Sequence, residues 1–382
     1  MSLNGKFKIE QKDLISLLSS MQPICNKRTA LDVTEYILFQ IAPKELILKS
    51  TDLEVSLQSN IAISSDLLDN VDFLISGKRI FELVKELEGE IEFTIQENQL
   101  NLKASGVELS LNIRDKEDFP PFPERIENLM QVESNFFLDM ISKVAFLIPQ
   151  SNSNAALNGM LLEFNDQGMC MVATDGHRLS RIKTDKYKLA EEKKWLLPKR
   201  AVLELKKILE ASLVESIFLG VCGNQLVFSG INFNFFTKLI SDSFPHYLPV
   251  LQKDDFLPAV VEKEAFLKTL KRTNCLLGGQ FLATDFSFQK DFIHVSLHNK
   301  EVGKLDESVN LKDFSGDAFK SQFYSPYMLS GLQVFPQEKL QFYVKNNTKP
   351  IIFEAQEENY HLTYLVMPVS SSQTQQRQDE QV

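Results

Sequence analysis

The strongest constraint on this chain is that one pattern comes round three times. Residues 11–22 place Leu14, Leu17, Leu18 and Met21 at helical spacing, and Pro23 closes or bends that helix. Residues 36–63 alternate as strands do, with a break at Ala42-Pro43-Lys44. A second helix begins near Gly77, with Ile80, Phe81, Leu83, Val84 and Leu87 apolar, and Gly89 stops it. Residues 90–114 read as three strands, and Asp118–Pro123 as a stiff extended linker, because each proline also restricts the residue before it. The second round opens near Glu133, with Phe136, Phe137, Met140, Ile141, Val144 and Leu147 apolar. Thr174-Asp175 then stands 123 residues after Thr51-Asp52, and another helix begins near Pro198. The third round opens near Glu262 and its second helix near Ser325-Pro326. The spacing between first and second helix is 66, 65 and 63 residues in the three rounds. Such agreement predicts a triplicated domain of the α+β class, each copy packing two helices on antiparallel sheets. The expected boundaries are 1–124, 125–250 and 251–369. Residues 370–382 have no apolar side chain before Val382 and read as a disordered tail.

Length agrees with this division, since 382 residues exceed what one core ordinarily holds. No apolar run approaches the roughly 18 residues that span a bilayer, and the N-terminus lacks an apolar signal core. Cys25, Cys170, Cys222 and Cys275 lie 145, 52 and 53 residues apart, too far for a metal or redox pair to be read from spacing. A reduced cytoplasmic setting is expected, with no membrane partner. There is no phosphate-binding glycine loop, no metal-ligand cluster and no nucleophile elbow, so neither cofactor nor metal is expected.

The net charge of −10 by itself argues against a nucleic-acid partner. The charge is uneven, however: −8 over residues 1–130, 0 over 131–255 and −2 over 256–382. The helices of all three rounds carry basic residues beside their apolar stripes: Lys12, Lys78, Arg79, Lys85, Lys143, Lys199, Arg200, Lys206, Lys207, Lys268, Lys271 and Arg272. Such charges usually form a solvated face. Recurrence on one element in an acidic chain instead suggests a segregated surface for phosphates, blind to base sequence.

One stretch stands out, Ala173-Thr174-Asp175-Gly176-His177-Arg178-Leu179, at the end of an apolar run. Asp-Gly after alternating apolar residues marks a tight turn. The same residues allow a rival reading, a hydrolase of nucleic acid with Asp175 and His177 as an acid/base pair. Leu157-Asn158-Gly159-Met160, Phe244-Pro245-His246-Tyr247 and Tyr364-Leu365-Val366-Met367-Pro368 accompany it in order. Together these blocks resemble the bacterial sliding clamps, the beta subunits of DNA polymerase III, over residues 6 to 369.

The resemblance implies a non-enzymatic processivity factor: a homodimeric ring, closed head to tail, whose helices line a hole that holds duplex DNA. It adds Arg28, beside Lys27, as a loop residue approaching DNA. It also implies a cleft for short peptides of the replicative polymerase's catalytic subunit, the clamp loader and other clamp-binding proteins. By position that cleft comprises Leu157, Thr174, Gly176, His177, Arg178, Leu179, Phe244, Pro245, Val250, Phe281, Tyr327, Val366, Met367 and Pro368. The implied dimer interface sets Leu109 and Leu111 against Cys275, Leu276 and Leu277, with Lys78 and Arg79 near Glu301 and Glu307. Pro249 stands where that family commonly has an arginine, and Ser370 follows where a basic-apolar ending is common.

Overall fold

The computed structural model describes residues 4–67, 69–123, 125–212 and 214–369. The expectation of a disordered tail at 370–382 lies outside the described residues. The helices are α1 Gln11–Cys25, α2 Gly77–Lys85, α3 Ser134–Ser142, α4 Lys199–Ala211, α5 Lys263–Cys275 and α6 Ser325–Leu332. All six begin where the periodicity places them, and every strand pairing is antiparallel. Two expectations about helix ends need correction. Pro23 lies inside α1, in its last turn, where it forfeits one backbone hydrogen bond without breaking the helix. Gly89 does not cap α2, which ends at Lys85; at φ +74° it turns the chain into the strand Glu90–Gln96.

The repeat is visible in its turns as well as its helices. After the strand Glu45–Thr51, the Asp52 Oδ1 accepts from the backbone N–H groups of Glu54 and Val55, both at 2.9 Å. After the strand Gly168–Thr174, the Asp175 Oδ1 accepts from His177 and Arg178 N–H, both at 3.0 Å. The third round uses Asn299, whose Oδ1 accepts from Glu301 N–H at 2.9 Å. A short side-chain oxygen mimics a backbone acceptor and closes each turn.

The chain divides into two compact units, one of residues 1–138 with 203–239, the other of 139–202 with 240–382. In the first, a five-stranded and an eight-stranded sheet enclose a core that includes Phe7 stacked on Phe93, ring centroids 4.6 Å apart, and Phe39 stacked on Phe73. Within the eight-stranded sheet, Val55–Ala62 of the first repeat pairs with Phe233–Lys238 of the second, with Leu57 opposite Phe235. The second unit holds one twelve-stranded sheet. There Arg178–Thr184 of the second repeat pairs with His361–Val366 of the third, with Ser180 opposite Tyr364. The middle repeat gives strands to both units, so the compact units cut across the repeats.

Helix α6 packs on its sheet at one close approach. Tyr364 is fully buried, and its hydroxyl donates to the Tyr327 carbonyl at 2.6 Å. A Cβ on Gly331 would lie 2.0 Å from the Tyr364 Cε1. Overpacking of this kind costs about 1–3 kcal/mol, so Gly331→Ala should lower the urea midpoint with little change in slope. An unchanged midpoint would show that the ring yields freely.

Candidate functional site

The site is built around the turn at Asp175. Gly176 sits at φ +91°, a conformation that favours glycine. Thr174 Oγ1 donates to the Arg178 carbonyl at 2.7 Å and accepts from Gly176 N–H at 3.1 Å. Both Asp175 oxygens are occupied: Oδ1 by two backbone N–H groups, Oδ2 by Arg178 Nε at 2.8 Å. Arg178 also donates through Nη1 to Ser330 Oγ, and its guanidinium lies 4.3 Å from the Tyr327 ring centroid. Asp175 is therefore a turn former and counter-ion that fixes Arg178 against α6. Nothing in this geometry supports the hydrolase reading. His177 lies with its ring near-parallel to Tyr327, centroids 6.2 Å apart, and its carbonyl accepts from Met367 N–H at 2.8 Å.

Cross-strand register arranges one face of the large sheet into two rows. The strands are Lys193–Pro198, Gly159–Asn165, Gly168–Thr174, Arg178–Thr184, His361–Val366, Ile351–Gln356 and Lys339–Val344. Leu196, Leu161 and Val172 stand in register, as do Leu179, Leu365, Ile352 and Tyr343. The second run is offset by two residues, since Val172 lies opposite Arg181 and Leu179 opposite Thr174, and the two pack as one diagonal apolar row. Beside it, Lys194, Glu163 and Cys170 stand in register, as do Arg181, Thr363 and Glu354, and the two runs meet diagonally where Arg181 Nε lies 3.4 Å from Cys170 Sγ. Side chains two apart on a strand share a face, so the same parity generates both rows.

Residues 244–256 cross the apolar row as a connector with one short helical turn, Leu248–Leu251. Tyr247 is buried in the cluster of Leu161, Val172, Leu179, Leu196, Ile352 and Leu365, against which Phe244, Leu251, Phe256 and Met367 pack. Its hydroxyl donates to Glu163 Oε2 at 2.6 Å. Burial, then the neighbouring thiol and carboxylate, raise the Tyr247 pKa, so it stays a donor. Further along, Lys253 Nζ donates to Glu354 Oε2 at 2.6 Å and stands 4.0 Å over the Tyr343 ring.

Of the cleft residues read from sequence, Leu179, Phe244 and Met367 meet in this cluster, and Pro245 and Val250 are exposed on the connector. Tyr327 joins through Arg178 and His177. Phe281 reaches it through Tyr324, with ring centroids 4.4 Å from Phe281 to Tyr324 and 4.9 Å from Tyr324 to Tyr327. Pro368 follows Met367 and is half-buried. Val366 is a correction: it is fully buried and points to the opposite face, so Leu365 takes its place. Leu157 and Thr174, 8 % and 9 % exposed, belong to the floor rather than to an open wall. Sequence reasoning passed over Tyr247, Tyr324, Lys253, Glu163 and Glu354. The Phe244–Tyr247 block held a signal for the first; the others need register to be seen.

The basic residues separate similarly. Lys12, Arg28, Lys85 and Lys271 are exposed and carry no ion pair among the described residues. Lys78, Lys206 and Lys268 pair along their helices with Glu82, Glu210 and Glu264. Lys199 donates to Gln150 at 3.0 Å, Arg200 is half-buried, and Arg272 grips Glu307 through two nitrogens. Lys143 must be withdrawn from any phosphate-facing set. It is buried, ion-paired with Asp139, and 5.2 Å over the Tyr360 ring. At the expected dimer surface Leu109, Leu111 and Leu276 are half-buried and Cys275 is exposed, whereas Leu277 is core at 4 % exposure.

Three models of one family match in chain order: the DNA polymerase III beta subunit's N-terminal domain over residues 5–123, its central domain over 131–246 and its C-terminal domain over 250–370. The chain belongs to the DNA polymerase III beta-subunit family. Among its beta sliding clamp relatives, that of Pseudomonas aeruginosa is 25 % identical over 95 % of this chain and 99 % of its own length. The Staphylococcus epidermidis clamp is 24 % identical over 95 % and 99 %. The solved sliding clamp of Bacillus subtilis superimposes with a TM-score of 0.89 at 20 % identity, covering 97 % of this chain and all of that one. The three repeats are thus three clamp domains.

Two expectations follow. Asp175→Asn keeps an acceptor for the turn but removes the charge facing Arg178, so stability should fall by about 1–3 kcal/mol in denaturant unfolding. A hydrolytic activity lost on this substitution would revive the rival reading. Burial pushes the Glu354 carboxyl up, but hydrogen bonds and charge from His361 and Lys253 outweigh it and hold the group below its ordinary value. A depressed folded pKa means that this stabilisation is complete above the unfolded value of about 4.3 and fades as pH falls through the folded one. Glu354→Gln should flatten that part of an acid-unfolding curve.

Proposed function

We propose that two copies of this chain close head to tail into a ring around duplex DNA, and that the ring tethers the replicative polymerase and other replication proteins. The observation that carries this reading is a pair of unused sheet edges. The repeats are divided at about residues 124 and 250, and a strand pairing bridges each junction. The strand Val107–Asn112 holds, in the first repeat, the place of Phe233–Lys238 and His361–Val366, yet among the described residues it pairs only with Gln99–Ala104. Gly303–Lys312 holds the place of Val55–Ala62 and Arg178–Thr184, yet apart from its hairpin partner it pairs only at Leu311 and Lys312. Open edges seek partners, and an antiparallel pairing between copies would complete the series. A groove of about 490 Å³ beside this edge is lined by Cys275, Leu276 and Leu305 among the charged Arg272, Lys304, Asp306 and Glu307, and would take apolar side chains of the facing strand at its centre with charged groups at its rim. Two copies satisfy each other's edges, which is the condition for closure.

Enclosure makes retention on DNA topological, so the clamp needs only weak, sequence-blind phosphate contacts. Arg28, Lys12, Lys85 and Lys271 suit that task, whereas Lys78, Lys206, Lys268 and Arg272 are partly neutralised by glutamates. The cleft of Leu179, Phe244, Pro245, Val250, Tyr327 and Met367 suits an extended peptide with apolar anchors, since a few buried anchors carry most of such affinity. Met367, flexible and polarizable, suits several partners. Tethering raises a polymerase's effective concentration at the primer end. No catalysis is assigned to the protein, and the setting is cytoplasmic.

In sedimentation the wild type should run at about twice the mass of the 43.6 kDa chain, and Leu109→Asp should run as a monomer, because a buried, unpaired carboxylate is costly. A dimer that survives Leu109→Asp would move the interface elsewhere. Arg28→Glu with Lys271→Glu should reduce loading onto circular DNA of any sequence alike, most visibly at low salt. A sequence-dependent loss would contradict phosphate contact.

A further inference from the structure

We infer that the connector Phe244–Phe256 is a strap pinned at two points, and that Tyr247 and Lys253 are positioning residues that govern how long the cleft holds its peptide. This inference rests on the cleft reading above and adds residues that need not touch the peptide.

The strap's backbone supports itself only locally. Val250 N–H donates to the Tyr247 carbonyl, Gln252 N–H to that of Pro249 and Phe256 N–H to that of Lys253, at 3.3, 3.4 and 3.0 Å. Among the described residues no backbone hydrogen bond ties residues 244–256 to a strand. Its place is therefore set by side chains. Apolar packing over the row of Leu161, Val172, Leu179 and Leu365 holds it down but is non-directional and permits sliding. The two carboxylates of the neighbouring row supply direction. Glu163 receives the Tyr247 hydroxyl before the exposed Leu248-Pro249-Val250 turn, and Glu354 receives Lys253 after it.

Each anchor is itself held. Lys194 faces Glu163 at 3.6 Å and His361 faces Glu354 at 3.7 Å. Lys345 donates to the Asp254 carbonyl and to Asp255 Oδ2, both at 3.1 Å, adding to the second pin. The anchors stand on different repeats, Glu163 on the second and Glu354 on the third. The wall residues Phe244, Pro245 and Val250 ride on the strap, whereas the floor residues Leu179 and Met367 do not. Loosening a pin should thus let the wall move while the floor stays, which speeds release more than it slows entry.

The test uses the full-length dimer and a fluorescein-labelled hexapeptide ending in a leucine and a phenylalanine, followed by stopped-flow anisotropy. Tyr247→Phe keeps the buried ring and loses the hydroxyl, leaving Glu163 beside Lys194. Lys253→Met keeps the aliphatic stem. Losing one such hydrogen bond should raise the dissociation rate about three- to tenfold, with the association rate within about twofold. Glu163→Gln retains an acceptor and should release peptide at nearly the wild-type rate, whereas Glu163→Leu should match Tyr247→Phe. Replacing the peptide's leucine or phenylalanine by alanine should blunt the effect of Tyr247→Phe for at least one position. A merely structural role would lower thermal stability while these peptide changes and Tyr247→Phe act additively, and that result overturns the inference. So does a wild-type release rate in both pin variants. Met367→Ala serves as the separate control. If it binds as the wild type does, the cleft assignment is wrong, whatever the pins do.

Discussion

Everything in this molecule depends on how sheet edges are satisfied. A strand edge buried without partners leaves rows of N–H and C=O groups unpaired, which folded proteins avoid. Three repeats in one chain have two internal junctions, and each is closed by an antiparallel pairing, Val55–Ala62 with Phe233–Lys238 and Arg178–Thr184 with His361–Val366. The second of these seams also supports the functional surface. It sets Leu179 beside Leu365 and so brings the Asp175 turn of one repeat against the last strand of another. Across that seam Arg178 meets Ser330 and Tyr327 of α6.

Much of this was legible from residue order. Helical spacing gave four helix starts, because apolar stripes such as Leu14, Leu18 and Met21 have to face a core, and the repeat interval gave those near Pro198 and Ser325. The Thr-Asp turns were legible as a recurrence at 123 residues. Face assignment was not. Val366 and Leu365 are neighbours in a uniformly apolar run, and both are buried, so alternation gives no sign of which faces the connector. Only the register with Arg178 and Leu179 decides it. Lys143 failed for a related reason. A lysine beside an apolar stripe looks solvated, but this one reaches under the Tyr360 ring and pairs with Asp139, one helical turn earlier. Asp175 was ambiguous because a turn-forming carboxylate and a catalytic one have the same sequence, and only the three donors on its oxygens tell them apart.

The site uses charge sparingly. Arg178 is fixed by a carboxylate, a hydroxyl and an aromatic face at once, so its position is over-determined and its guanidinium is not free to wander. Glu163 and Glu354 do the same for a segment with no ladder of its own. Buried polar pairs of this kind contribute modestly to stability but fix one arrangement among several of similar apolar content. That division suits the peptide surface proposed above: the oily part tolerates exchange, while the polar part keeps the geometry.

The two seams differ in a way that bears on any third one. Leu57 lies opposite Phe235, but its counterpart Ser180 lies opposite Tyr364, two residues beyond the counterpart of Phe235. A slip of two residues is one full pleat, so every side chain keeps its face while its neighbour changes. The fold thus has two commensurate lock positions for the same joint, and apolar patterning cannot choose between them. Where the joint lies within a chain, connectivity chooses. In a pairing between copies through Val107–Asn112, Leu109 and Leu111 would point the same way in either position, so apolar patterning would not choose there either. Two seams of one fold thus differ by a full pleat while each keeps its oily face covered.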